Sequence, residues 1–336
     1  MRPGRGPRHY RGRPAPLLAC PGRKVSAVEN PAAVIILAAG KGTRMNSATP
    51  KVLHEMCGCT LLGHAIAAAR GVEPENVVVV VRHERDLVAG HATAVDPGVI
   101  IADQDEIKGT GRAVWCGLNA LPADVSGPVL VMAGDTPLLS ADVLCELYAH
   151  HAGNAATVLS AIVPDATGYG RIVRDEAGAI CGIVEHRDAS EEQLQIHEVN
   201  TSTYVFDAEF LRSSLETLGT DNAQGEMYLT DVIAKAYAAG AGVGSYVAPD
   251  YRVAEGANDL VQLAALRADM NRRIGEKWMR AGVTIIDPAS AWIDVSVELE
   301  ADAVVEPFTI LRGATRVESG AHAGPGVFVD TQITAD

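Results

Sequence analysis

In the stretch ILAAGKGTRMNSATPKVL, residues 36–53, two glycines, an arginine and a lysine follow directly on a short apolar run. Gly40 and Gly42 let main-chain N–H groups approach a ligand closely and point at it. Arg44 and Lys51 supply positive charge, and Pro50 stiffens the approach to the lysine. Together with the small residues of the turn, Ala38 and Ala39 after Leu37, this is the chemistry of polyphosphate binding. Neither familiar phosphate loop fits. A Walker A loop needs a glycine, four intervening residues and then Gly-Lys-Ser/Thr. A dinucleotide fingerprint needs a third glycine where Met45 stands. On spacing alone, an ordinary strand-to-helix turn with surface cations remains the alternative.

The elements that must position these residues alternate. Residues 34–37, 76–81 and 128–135 are continuous apolar runs, expected for strands covered on both faces. Residues 60–70, 111–120 and 141–151 have helical spacing. Strand and helix in turn predict an α/β fold with a doubly wound, mostly parallel sheet. From 156 onward, closely spaced strand-like segments (AATVLSA, GYGRIVR, AICGIVEH, NTSTYVF) predict an antiparallel or mixed insertion forming one wall of a pocket. Helices are expected at 208–218 and 228–239. A longer amphipathic helix is expected at 259–281, with Leu263, Leu266, Met270, Ile274 and Trp278 on one face.

The C-terminal segment has a six-residue period. Leu299, Val305, Leu311, Val317, Ala323 and Val329 recur every six positions, and Val297, Ala303, Thr309, Thr315, Ala321 and Val327 sit two before each. Such hexads build a parallel β-helix, three hexads to a coil, so about two coils are expected. The domain reading is then a basic tail at 1–30, an α/β domain at 31–258, a linker helix at 259–282 and a β-helix at 283–336.

Composition excludes several classes. The net charge of −14 argues against a dedicated nucleic-acid binder. Residues 1–30 depart from it with seven basic groups against Glu29, and their Arg, Pro and Gly content reads as disorder. No run of about 18 apolar residues is present for a membrane span. APLLAC is too short for the apolar core of a secretory signal. The six cysteines are scattered without C-x-x-C spacing and read as thiols of a reducing cytoplasm. The histidines show no metal spacing, His150–His151 reads as a helix end, and the acids at 188–192 read as a solvated turn.

The full pattern Leu-x-Ala-Gly-x-Gly-Thr-Arg-Met followed by Pro-Lys resembles the signature of sugar-phosphate nucleotidyltransferases. QDEIKGTGRAV (104–114), GDTPLL (134–139), GYGRIV (168–173), GIVEHRDAS (182–190), EVN (198–200), NAQGEMYLTDVI (222–233) and EGAN (255–258) narrow the resemblance. In this order they are similar to the bacterial bifunctional family of N-acetylglucosamine-1-phosphate uridyltransferases and glucosamine-1-phosphate acetyltransferases. The resemblance runs from about residue 33 to the end and covers only part of the family's C-terminal β-helix, which is left-handed.

That resemblance implies roles. Leu37, Ala38, Ala39 and Gly40 would line the uridine and phosphate site, and Gln104, Gly109 and Thr110 would read the uracil. Arg44 and Lys51 would hold the phosphates and carry catalysis. Asp135 and Asn258 would bind Mg²⁺, a hard cation that takes oxygen ligands. Gly170, Glu185 and Asn200 would bind the acetamido sugar, with Tyr228 and Thr230 shaping its pocket. Each has a plainer alternative: Asp135 and Asn258 as helix N-caps, Glu185 as a solvated turn acid.

The implied reaction joins UTP and N-acetylglucosamine 1-phosphate into UDP-N-acetylglucosamine, a peptidoglycan precursor, and releases pyrophosphate. No acetyl transfer is expected from so few coils. The family's homotrimer, formed through the long β-helix, is not expected either. Another sugar-1-phosphate nucleotidyltransferase is the nearer alternative, and a non-catalytic sugar-nucleotide sensor the more distant one. Three departures from the family pattern stand out: Ser202 for a usual glycine, Arg112 for a histidine, and Ala133 before Gly134-Asp135.

Overall fold

The strand β1 (Ala33–Leu37) lies between two parallel neighbours, β2 (Asn76–Val81) and β4 (Pro128–Ala133), with Ile36 opposite Val79 on one side and Met132 on the other. Its apolar run has no polar gap because both faces are covered. The computed structural model describes residues 30–335, so the basic tail expected at 1–30 lies, apart from Asn30, outside the described residues. These divide into two compact units, 30–56 with 60–267, and 57–59 with 268–335.

The larger unit is built on one mixed sheet. Beyond β2 lies β3 (Val99–Asp103), also parallel. On the other side of β4 the order continues through β8 (Glu198–Asp207) and β5 (Ala156–Ile162) to β9 (Val243–Val247). Strand β8 is antiparallel to both β4 and β5, and a hairpin of β6 (Arg171–Arg174) and β7 (Ile180–Val184) branches from its start. This is the mixed insertion expected from residue 156.

Helices cover both faces. Ile36, Val79 and Met132 pack with α1 (Leu61–Arg70), α2 (Arg85–Val95) and α4 (Ala141–Ala149). Ile35, Val78 and Val131 pack with α3 (Thr110–Asn119), α5 (Ala208–Glu216) and α6 (Asp231–Ala238). Helix α7 (Leu260–Arg280) follows, and Leu263, Leu266, Met270 and Ile274 are buried as its period predicts. Among the described residues no helix is long and apolar enough to cross a membrane.

The chain passes from β1 outward to β2 and β3, then returns to β4 on the opposite side of β1. The order therefore reverses at β1 and β4, and their carboxyl ends open the crevice where α/β sheets place ligands. The amide of Gly134 bonds the Leu37 carbonyl at 2.9 Å and holds the two strand ends together there.

In the smaller unit three sheets of three parallel strands stack: 284–285 with 304–305 and 322–323, 292–293 with 309–312 and 326–329, and 298–299 with 316–317 and 332–333. That is three turns rather than about two, because the first turn begins before the hexads become regular at Val297. The alternation also fails at its end. Residues 297 to 323 of both series are buried as expected, but Val327 and Val329 are 62% and 43% exposed. Phe328, not Val329, takes the register position beside Leu311. That turn is one residue shorter, and a one-residue slip exchanges the faces of a strand.

Candidate functional site

At the carboxyl end of β1 the chain turns through Ala38 to Gly42 into a short 3₁₀ turn, Thr43–Met45. Gly42 has φ +63°, and a Cβ there would stand 2.5 Å from the Cβ of Lys51, so only glycine fits beneath the lysine. A second 3₁₀ turn, Lys51–Leu53, starts at Pro50. Between these turns and Asp135 lies a cavity of about 200 Å³, lined by Leu37, Ala38, Gly40, Gly42, Thr43, Arg44, Lys51, Val52, Asp135 and Asn258. Of the expected nucleotide residues Gln104, Gly109 and Thr110 lie outside this lining, and so does Ala39. It packs against the core on the α3 side of the sheet instead. Gly42, Thr43 and Val52 join the lining although no role was assigned to them; the glycine spacing alone pointed at Gly42.

The Lys51 ammonium ion-pairs with Asp135 and donates to Asn258 Oδ1 at 2.9 Å, and Arg44 Nη2 donates to the same oxygen at 2.8 Å. Four residues separated by up to 214 positions thus meet at one point. The segment 255–258 reaches Asp135 because the Ala257 amide bonds the Asp135 carbonyl at 3.2 Å. Neither residue is a helix cap. Ser140 stands at the N-cap of α4, and the Asp259 carboxylate accepts the Gln262 amide at 2.8 Å to cap α7. A carboxylate and an amide oxygen that share one ammonium form a pair that a single small cation can bridge. Two oxygen donors, with phosphates completing the shell, suit a hard divalent cation. Among the described residues no group of three or more acids, histidines or cysteines forms an alternative cage.

The segment expected to read a base lies after β3. Gln104 Nε2 donates to the carbonyls of Ile107 at 3.0 Å and Gly109 at 3.3 Å, so the amide shapes its own loop. Gly109 has φ +115°, and a Cβ there would meet the Met227 nitrogen at 2.5 Å. The two strands of chain interlock: Met227 N to Lys108 O at 2.9 Å, Gly111 N to Met227 O at 2.8 Å, and Leu229 N to Thr110 Oγ1 at 3.1 Å. These bonds explain why α6 starts at Asp231 rather than at 228. Arg112 is bound by Asp105, Nε to Oδ2 at 3.0 Å, so its charge is answered within the same loop.

Gly170, Glu185 and Asn200 converge. A Cβ at Gly170 would lie 3.5 Å from Glu185 Oε2 and 3.6 Å from Asn200 Cβ, and the Gly170 carbonyl accepts the Asn200 amide at 2.9 Å. Thr230 Oγ1 donates to Glu185 Oε1 at 3.3 Å. Burial pushes the Glu185 carboxyl up, the Thr230 bond draws it down, and Asp188, Asp231 and Glu226 push it up again. Glu185 is therefore not a solvated turn acid. Asp188 is exposed in the turn that follows, as expected, and accepts the Ala223 amide at 3.0 Å and faces the Tyr228 hydroxyl at 3.4 Å. Burial raises Tyr169 first, with Glu255 and Asp135 next, so its phenol lies within electrostatic reach of the Asp135 end of the site.

Ser202 occupies the bulge of β8, with φ +60°. Its amide donates to Asn200 Oδ1 at 3.1 Å, and Asn200 Nδ2 donates to the hydroxyl of the buried Tyr204 at 2.6 Å. A left-handed conformation explains the glycine usual at this position. Tyr204, which orients Asn200, escaped sequence reasoning because a tyrosine in an apolar strand reads as core.

Several known proteins are similar to this chain. A bifunctional protein GlmU of Pseudarthrobacter chlorophenolicus is 54% identical over 308 residues, covering 90% of this chain and 62% of that protein. The GlmU of Paenarthrobacter aurescens is 55% identical over 308 residues, with 90% and 61% covered, and that of Streptomyces avermitilis 53% over 309, with 91% and 64%. The chain spans about 62% of the length of the first of these relatives. Residues 34–218, more than half of the chain, match the MobA-like NTP transferase domain. The cradle, the cation pair and the strand order all lie in or beside that segment, and the chain belongs to the MobA-like NTP transferase domain family.

Proposed function

We propose that the protein transfers a uridylyl group from UTP to N-acetylglucosamine 1-phosphate, giving UDP-N-acetylglucosamine and pyrophosphate. The observation that carries this reading is the meeting of Arg44, Lys51, Asp135 and Asn258 at the carboxyl ends of β1 and β4. The motif set and the similarity to bifunctional GlmU proteins support the choice of base and sugar. Such a reaction belongs in the cytoplasm, where UTP is present. The resemblance to bifunctional GlmU proteins supports a left-handed winding for the parallel coil of the smaller unit.

The sugar phosphate is already an anion, so attack on the α-phosphorus needs no general base. The work is to bring two polyanions together and to stabilise charge on the departing pyrophosphate. Lys51 and Arg44 bind phosphate oxygens, and the N–H groups of the Ala38–Gly42 turn orient them. Asp135 and Asn258 hold Mg²⁺, which when bound neutralises phosphate charge. Gln104 and Thr110 select the base; with Nε2 held by its own loop, Gln104 offers Oε1 to accept an N–H of the base. Gly170, Glu185, Asn200 and the wall formed by Tyr228 and Thr230 hold the acetamido sugar.

The test is pyrophosphate release from UTP with Mg²⁺ and N-acetylglucosamine 1-phosphate, run beside glucose 1-phosphate and glucosamine 1-phosphate. Release is expected with the acetylated sugar and to depend on Mg²⁺. Asp135→Ala is expected to abolish most of it; near-normal turnover in that variant would contradict the proposal.

A further inference from the structure

Arg171, the first residue of β6, is 2% exposed. Its neighbour Ile172 packs into the core on the α6 side, so strand alternation sends Arg171 to the opposite face. There the guanidinium bonds no carboxylate. Nη1 donates to the Tyr169 carbonyl, Nη2 lies 3.5 Å from His186 Nδ1, and Nε has no hydrogen-bond partner. Among the described residues no carboxylate ion-pairs with it; Asp165, the acid that acts on it at a distance, is bound to the Thr167 amide at 2.9 Å. A guanidinium keeps its proton in proteins, so this is a buried cation whose acting acid, Asp165, makes no ion pair with it.

The two groups it does touch flank the sugar-binding residues. Tyr169 immediately precedes Gly170, and His186 immediately follows Glu185. The backbone of Arg171 is paired with Val184 and with Val199, the neighbours of Glu185 and Asn200. We propose that Arg171 is the positioning residue of the acceptor half of the site: it ties the Tyr169 carbonyl to the His186 ring and so sets the separation of Gly170 from Glu185. This rests on the uridyltransferase reading above, in which those residues hold the sugar. A planar fork with donors at fixed angles can bridge two such groups where a lysine cannot. The nucleotide half, built on Arg44, Lys51, Asp135 and Asn258, has no bond to Arg171.

Steady-state pyrophosphate release with Arg171→Met, Arg171→Lys and His186→Phe tests it. Loss of a charge-assisted bond predicts an increase of about tenfold to a hundredfold in the KM for N-acetylglucosamine 1-phosphate for Arg171→Met. The KM for UTP should stay within about twofold of wild type, because uniform binding is lost at one subsite only. Arg171→Lys should recover little, and His186→Phe should raise the same KM by a smaller factor. Binding of UTP with Mg²⁺, followed by calorimetry, reports whether each variant keeps its nucleotide half. Equal changes in both KM values, a fall in kcat alone, or full rescue by lysine would overturn the assignment. Should Arg171→Met fail to fold, His186→Phe decides: an unchanged KM for the sugar phosphate refutes the tie. Absence of turnover in the wild type would instead refute the uridyltransferase reading itself.

Discussion

The Lys51 ammonium touches both Asp135 and Asn258. Its charge is needed where negative charge gathers on the departing pyrophosphate. Lys51→Ala is expected to lower kcat by about a hundredfold to a thousandfold, the usual cost of one electrostatic donor, which single-turnover pyrophosphate release would measure. Glu185 offers a second residue-level outcome. Its carboxyl is held above the ordinary range, so between the unfolded and folded values the folded protein binds more protons than the unfolded chain. The stability from this group is fully present below the unfolded value and is lost as pH rises through the folded one. Glu185→Gln should therefore raise the melting temperature near about pH 7, and the gain should vanish towards about pH 4. The same substitution should weaken use of the sugar phosphate. Scanning calorimetry at the two pH values separates stability from activity.

At the scale of single elements, the β8 bulge shows local strain beside a binding group. Ser202 in a left-handed conformation costs roughly 1–2 kcal/mol, offset by about 0.5–1 kcal/mol because glycine loses more freedom on folding. Ser202→Gly is thus expected to stabilise by about 0.5–1 kcal/mol. Urea unfolding checks this, and an unchanged midpoint would mean that the serine has no strain to release. The bulge was visible in the sequence only as a departure from a family pattern, because alternation does not mark one extra residue. Edge strand β3 escaped sequence reasoning although Val99 to Ala102 is an apolar run. Helix α2 was illegible, because Leu87 is 56% exposed and the segment has no clean apolar period. The opposite holds for β1, β2 and β4, whose uninterrupted apolar runs follow from cover on both faces. The phosphate cradle was legible because backbone access demands glycine at fixed offsets. Arg171 was not, because its meaning lies in the groups around it.

For the molecule as a whole, every residue of the candidate site lies within 30–56 or 60–267, and the coil strands lie in the other unit. Leu311 is fully buried in the coil, so Leu311→Ala should cost that unit about 2–5 kcal/mol. The kinetics of pyrophosphate release should stay at the wild-type level, while hydrogen exchange in 284–333 accelerates. The number of coil turns was undercounted from sequence because the hexad period covers only its regular part, from Val297 onward.

The interlock of Lys108–Gly111 with Met227–Leu229 bears on how such a protein is re-engineered. The loop proposed to read the base and the loop proposed to shape the sugar pocket are knitted by main-chain bonds, with a glycine at the crossing that no larger residue can replace. Grafting one of these loops from a relative of different specificity would leave unmatched partners in the other. A working chimera would have to inherit both loops as one cassette, and a library that diversifies them separately would consist largely of misfits.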